Sequence, residues 1–453
     1  MSKSLSASAQ YDSLFQTDLP PGEFSDRRAK VFDRIGNDAL AVLQGAVPTG
    51  EFDVFRQSNE FYYLCGVEVP YAYLLLDGKS RKTILYLPGR DPQQERSEGP
   101  ILNSDDAELA KTLTGVDEVQ NVDTLSRDLA GAGTIYTPHS RANVGECSST
   151  RLNERPTREA HFIHRLKTLY PSADVRDLSP VIGSLRIVKS PAEINVMRLA
   201  GRLSALAVAE AMRCTRPGII EYHLGAVADY IFLVNGARGA SYRPIIAGGT
   251  NAWHGHYYRN DCELQDGDLV LMDCAPDCGN YTSDIGRMWP VNGKYAAWQR
   301  ELYGFIVEYH KVLLKLIRPG VLASQIMEEA AREMKKVIER TTFSKPCYEN
   351  AARQTLEFRG HLSHTVGMAV HDGGDYTLEP LVPGTVFAVD PQMWIPEERL
   401  YIRVEDTVAV TQDGIENLTE LAPLELDDVE KLMGEDGILQ KLPPLKKERT
   451  LSL

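Results

Sequence analysis

Five side chains in the second half of this sequence have the types and spacing for metal chemistry: Asp273, Asp284, His364, Asp390 and Glu405. Asp273 and Asp284 lie in VLMDCAPDCGNYTSDIGR, 11 residues apart, and Asp390 and Glu405 lie in VFAVDPQMWIPEERLYIRVEDT, 15 apart. His364 stands between the two pairs, in RGHLSHTVGMAVHD. Each acid ends or interrupts an apolar, β-branched run that otherwise reads as a buried strand. Carboxylates are not buried without compensation, because desolvating the charge costs several kcal/mol or more. Four acids and one imidazole, with almost no positive charge near them, call for a cation. Oxygen donors with one imidazole suit a hard or borderline divalent ion: Mn²⁺ first, with Zn²⁺, Co²⁺ or Fe²⁺ also compatible. Two ions about 3.5–4 Å apart need bridging carboxylates, and four acids are enough to bridge them and support hydrolysis.

Other side chains join this set on weaker signals. His256, in NAWHGHYYRND, and His371 could carry protons or stabilise an oxyanion. Arg403 is two residues before Glu405, so on a strand it faces the same side and could hold a ligand carboxylate. Its spacing fits a surface arginine equally well. Cys274 and Cys278 form CAPDC, which has no second pair to complete a zinc-thiolate site. The seven cysteines therefore read as reduced, mostly buried thiols.

The elements that must position these residues repeat. The segment 189–218 opens with Ser190 as a helix N-cap, Pro191 at the first helical position and Glu193 in the first turn. Ile194, Met197, Leu199, Leu203, Leu206 and Val208 then give a long packed helix. Two stretches, CTRPGIIEYHLGAVADYIF and LIRPGVLASQIMEEAAREM, share Arg-Pro-Gly followed by an amphipathic helix. LQDGDLVLMD and LVPGTVFAVD each place an aspartate six residues after a glycine. An internal duplication follows: two helix-plus-hairpin units facing each other across a pseudo-dyad, each bringing two acids to one centre.

Upstream, about 24–182, strand-like and helical pieces alternate, as in RRAKVFDRIG, DALAVLQG, AYLLLDG, KTILYLPG and DAELAKTL. The aromatic segment FRQSNEFYYLCG reads as core and interface packing. The fold class is α/β (α+β), with a first domain over 20–182, a catalytic domain over 186–428 and a loosely held tail over 429–453. A net charge of −14 argues against nucleic acid or an anionic membrane surface as partner. No apolar run approaches the roughly 18 residues of a membrane span, and the N-terminus lacks an apolar signal region. These features point to a cytoplasmic enzyme.

On these motifs the sequence resembles the creatinase/aminopeptidase P family. FRQSNEFYYLCG, KSPAEI, HYYRND, DGDLVLMDCA with YTSDIGR and PVNGKY, HLSHTVGMAVHD and IRVEDTVAVT resemble family segments in the same order across most of the chain. The resemblance implies a creatinase-like N-terminal α/β domain followed by a duplicated "pita-bread" catalytic domain. It implies Asp273, Asp284, His364, Asp390 and Glu405 as ligands of two metals, usually Mn²⁺. His256 and His371 would lie beside the scissile bond, with Arg403 in support and Asp390 relaying a proton to the leaving nitrogen. The implied activity is that of an Xaa-Pro aminopeptidase, which releases the first residue from peptides with proline second. Relatives often assemble through the N-terminal domain, implying a homodimer or homotetramer.

The chain departs from the family pattern at the site itself. Asp390 stands where the family normally has Glu, a methylene shorter by roughly 1.5 Å. Gln392 replaces a glycine, Gly286 a threonine, and Trp394 a tyrosine. Two alternatives follow: a prolidase acting on Xaa-Pro dipeptides, and a metal-poor pita-bread protein with a different chemistry or a binding role.

Overall fold

The computed structural model describes residues 14–50, 53–139 and 157–444. The chain divides into two compact units at Arg186/Ile187.

The first unit is built on a six-stranded mixed sheet. Its strands are β1 (Ala39–Gln44), β2 (Tyr73–Asp77), β3 (Lys82–Leu87), β4 (Glu118–Asn121), β5 (Thr134–Thr137) and β6 (Asp174–Asp177). Their spatial order is β4-β3-β2-β1-β5-β6, antiparallel through β1, β2 and β3 and parallel elsewhere. Helix α1 (Pro21–Ile35) buries Phe24, Val31, Phe32 and Ile35. The aromatic segment forms helix α2 (Asn59–Cys65), in which Glu60 through Cys65 are all buried. Two buried arginines of α1 close its C-terminal end: Arg27 donates to Tyr63 O and Arg28 to Leu64 O, both at 3.0 Å. Cations there satisfy carbonyls left over at a helix terminus. The reading of this segment as core therefore holds. Residues 1–13 and Cys147 lie outside the described residues.

The second unit holds the acids. It opens with α3 (Pro191–Cys214) and α4 (Glu221–Val234), followed by strands β7 (Ile245–Gly248), β8 (Leu269–Asp273) and β9 (Ile285–Pro290). It then repeats two helices, α5 (Ala297–Leu316) and α6 (Ala323–Arg340), and adds a third, α7 (Pro346–Thr355). Strands β10 (Val386–Val389), β11 (Gln392–Ile395), β12 (Leu400–Arg403), β13 (Glu405–Val410) and β14 (Ile415–Asn417) follow. The main sheet runs β10-β13-β9-β8-β7, with β14 on β13 and β11–β12 as a separate hairpin. The repeated halves meet where β9 and β13 pair antiparallel, Gly286 opposite Glu405 and Ile285 opposite Asp406.

Ser190 caps α3 as the sequence predicts: its side chain accepts from Glu193 N, while Glu193 returns a bond to Ser190 N at 2.8 Å. The expected packed face is only partly right. Leu199 and Leu206 are 47% and 49% exposed, while the buried stripe is Met197, Ala200, Ser204, Val208 and Ala211. Leu199 and Leu206, seven residues apart, share the outward face. The described part of the tail, to residue 444, also differs from the expectation. Helix Leu426–Met433 buries Val429 and Met433, and Ile438 N donates to Glu210 of α3 at 2.7 Å. Apolar residues at helical spacing dock this segment. Among the described residues, no helix is long and apolar enough to cross a membrane.

Candidate metal centre

Each acid stands where regular structure gives way. Asp273 is the last residue of β8, Asp284 precedes β9, Asp390 follows β10 and Glu405 begins β13. The strands carry them inward, and the side chains of Asp273, Asp284, Asp390 and Glu405 are all at most 7% exposed. His364 sits in the loop after α7, where Ala388 N donates to its carbonyl at 2.9 Å and ties the loop to β10.

Three of the five donors converge directly. His364 Nε2 is 3.3 Å from Asp284 Oδ2 and 3.7 Å from Glu405 Oε1. Ligand atoms of Asp284, His364 and Glu405 all lie within 4.8 Å of one another. Asp273 and Asp390 join through intermediaries. Tyr242 Oη lies 2.6 Å from Asp273 Oδ1 and 2.7 Å from Asp284 Oδ1, with its single proton between the two carboxylates. Arg403 pairs with Asp273, lies 2.9 Å from Glu405 Oε2 and has Nη1 3.8 Å from Asp390 Oδ2. Arg403 is thus no surface residue; it is 5% exposed and sits among three acids.

Electrostatics follows from this crowding. Burial, with the charge of a neighbouring acid, pushes Asp273, Asp284 and Glu405 above the usual carboxylate range, while Arg403 pulls each of them back. Burial and the Glu405 charge push Asp390 up to about 7. Burial alone lowers His364, yet its bonds to Asp284 and Glu405 and their charges raise it to about 11. Burial and the neighbouring positive groups hold His371 down at about 4.

The two remaining histidines line up beside the centre. The ring of His371 lies 4.0 Å from that of His364, and the ring of His256 lies 6.2 Å from His371. His256 is exposed and stacks on Tyr258 at 6.0 Å.

The donors suit a divalent cation. Asp390 Oδ1 is buried without a hydrogen-bond partner, and such an oxygen needs either a proton or a cation; Glu405 Oε2 has its ion pair with Arg403. Among the described residues no thiol joins the group, and Cys274 and Cys278 are both buried. A second cluster, Glu221 with Asp261 and Cys262, is different in kind. Glu221 already accepts from Gly248 N, Asn251 Nδ2, Tyr257 Oη and Cys262 N at 2.9–3.0 Å, so its carboxylate is spent on structure.

Sequence reasoning missed Tyr242, which lies in a loop with no periodic signal. It also missed the network behind Glu405. There Asp406 accepts from Arg287 and pairs with His310, each at 2.7 Å, and Arg287 donates to Glu405 O at 2.6 Å. The departure from threonine at Gly286 has a steric reason. A Cβ there would stand 3.1 Å from both Arg403 Nε and Glu405 Cβ, so the glycine makes room for the arginine.

Comparison with known proteins agrees with this architecture. The model of metallopeptidase family M24 matches residues 195–412, and that of the aminopeptidase P N-terminal domain matches 24–136. Xaa-Pro aminopeptidase of Escherichia coli (strain K12) is 32% identical over 437 residues, covering 91% of this chain and 97% of the relative. Human Xaa-Pro aminopeptidase 3 is 33% identical over 402 residues, covering 83% and 76%. The structure of E. coli aminopeptidase P with the inhibitor Pro-Leu superposes with a TM-score of 0.77 at 30% identity, covering 92% of this chain and 99% of that one. A zinc-substituted form of the E. coli enzyme with product matches equally well, at a TM-score of 0.77. With its mixed α/β fold, its N-terminal domain and its catalytic unit, the chain belongs to metallopeptidase family M24, as a metallo-aminopeptidase of the aminopeptidase P type.

Proposed function

We propose that this enzyme removes the first residue from peptides whose second residue is proline, using two divalent ions held by Asp273, Asp284, His364, Asp390 and Glu405. The observation that carries the reading is the convergence of Asp284, His364 and Glu405, drawn from both halves of the second unit. Relatives named Xaa-Pro aminopeptidase supply the substrate class. When bound, the ions supply an activated water and polarise the scissile carbonyl.

The remaining work falls to the chain's own residues. Tyr242 orients Asp273 and Asp284 together, and Arg403 fixes Asp273 and Glu405. His371 and His256 line the approach and donate to oxygen as negative charge develops on the substrate. Asp390 passes a proton to the leaving proline nitrogen, which has no N–H of its own. Four carboxylates and one imidazole without a thiolate make Mn²⁺ our choice of ion, ahead of Zn²⁺ or Co²⁺.

We place the enzyme in the cytoplasm as a homodimer or homotetramer, acting on peptides and on neither nucleic acid nor membrane. Exposed Tyr230, Leu233 and Val234 on α4 support association with a second copy. Sedimentation of a monomer at micromolar concentration removes that part of the proposal.

The decisive assay gives Mn²⁺-loaded protein Xaa-Pro-Xaa tripeptides and Xaa-Pro dipeptides, with metal content measured alongside. Tripeptide cleavage with two ions per chain is expected. Cleavage of dipeptides alone makes the enzyme a prolidase, and retention of no metal with no cleavage ends the peptidase reading.

A further inference from the structure

Among the described residues β7 is the edge strand of the main sheet, so its outward backbone groups need partners that no further strand supplies. Two side chains supply them. Asn260 accepts from Ile246 N at 3.1 Å and donates to Pro244 O at 2.8 Å, standing in for a paired backbone. Glu221, the first residue of α4, accepts from Gly248 N at 2.9 Å. Between these two clasps runs the loop that carries His256: a 3-10 turn (Gly249–Trp253) followed by HGHYYRN. Glu221 is fully buried and takes three more donors from that loop and its exit. Its Oε1 also accepts from Asn251 Nδ2 at 2.9 Å, while Oε2 accepts from Tyr257 Oη at 2.9 Å and Cys262 N at 3.0 Å. The four bonds fill the four lone-pair sites of the carboxylate. Tyr257 is 8% exposed, whereas His256 and Tyr258 on either side of it are exposed. The tyrosine held on Glu221 thus leaves His256 on the outer side, its ring 6.2 Å from that of His371.

We propose that Glu221 is a positioning residue: it anchors this loop at both ends and through Tyr257, and so sets where His256 stands for the reaction. The inference rests on the role given to His256 above. A histidine on a loop has no regular element of its own to fix it, so its placement depends on what the loop is tied to. A misplacement of about 1 Å from a change remote from the chemistry can cost on the order of a hundredfold in rate. The approach of β7 to this anchor is close: a Cβ on Gly248 would meet Leu264 Cδ2 at 2.5 Å and lie 3.7 Å from Glu221 Oε1. Glutamine in place of Glu221 keeps the volume but has one acceptor oxygen instead of two. Whichever way its amide turns, its NH2 group faces either Gly248 N or Cys262 N, backbone donors that cannot reverse. One end of the loop is then released.

The test is a double-mutant cycle on the Mn²⁺-loaded enzyme with Leu-Pro-Pro as substrate. Glu221→Gln should lower kcat about tenfold, with KM within about twofold of wild type and the metal content unchanged. In a His256→Ala background the same substitution should change kcat by less than about twofold, because the group it positions is gone. Tyr257→Phe keeps the ring and removes one donor, and it should follow the same pattern at about threefold. Equal losses in the two backgrounds, or wild-type kcat in both variants, overturn the positioning role and leave the peptidase reading intact. Amide hydrogen exchange reads the anchor without turnover: Gly248 and Cys262 should exchange about tenfold faster in Glu221→Gln. That result upholds the anchor even where His256→Ala is silent or no peptide is cleaved, outcomes that remove the role given to His256 or the peptidase reading instead. Wild-type exchange at both amides in Glu221→Gln overturns the anchor.

Discussion

The Gln392 side-chain amide donates to Asp390 Oδ2 from only two residues along the chain. The pair explains how a shorter acid is kept in place. Asp390 and Gln392 flank Pro391 at the exit from β10, and the amide occupies space that a longer acid would need. Asp390→Glu alone should therefore crowd Gln392 and weaken Mn²⁺ binding by about tenfold, a coupling of about 1.4 kcal/mol. The double variant Asp390→Glu with Gln392→Gly should recover most of the loss. Metal titration by calorimetry checks this; equal effects in single and double variants would show the two residues to be independent.

Tyr242→Phe removes one hydroxyl that serves both Asp273 and Asp284. Loss of a group that orients ligands typically costs 10–100-fold in metal affinity or activity, and a drop of about that size is expected here. Circular dichroism should be unchanged. Wild-type affinity in the variant would place the tyrosine outside the ligand network.

The pH dependence of metal-depleted protein carries a defined sign. Asp390 titrates at about 7 when folded, against about 3.9 unfolded, so between those values the folded state holds a proton that the unfolded chain has lost. Its contribution to stability falls as pH rises through that window. In EDTA, Asp390→Asn should therefore gain melting temperature relative to wild type from pH 4 to pH 7, with no further gain above. His371, held at about 4, titrates with the opposite sign in the same window, so only the difference between the two proteins isolates Asp390. A flat difference contradicts the assignment.

Gly286→Thr restores the residue type usual in the family but forces a Cβ to within 3.1 Å of Arg403 and Glu405. Overpacking of a buried site typically costs 1–3 kcal/mol, and urea unfolding should show a loss of about that size. Increased stability would mean that Arg403 yields without cost.

Much of this arrangement is legible in the sequence because the acids break β-branched runs. Asp273, Asp390 and Glu405 mark strand ends by their type alone. The repeated Arg-Pro-Gly and Gly-to-Asp spacings likewise signal two comparable helix-and-strand units, and Ser190 with Glu193 announces the start of α3. What stayed hidden depends on contacts between distant segments. Tyr242 reaches two acids 31 and 42 residues away, and His310 meets Asp406 across 96 residues. Exposure was hidden for the same reason. Leu199 and Val208 are equally apolar in the text, yet only packing decides which of them faces water.

The pairing of β9 with β13 carries a consequence for the order of assembly. Asp284 and Glu405 become neighbours only when that one antiparallel contact forms, since each belongs to a different half. A chain with a single half ordered offers only part of the proposed ligand set, Asp273 and Asp284 from one half or His364, Asp390 and Glu405 from the other. On that proposal, complete cation capture would follow the pairing of β9 with β13 and would act as a latch on the finished sheet rather than as a nucleus for it.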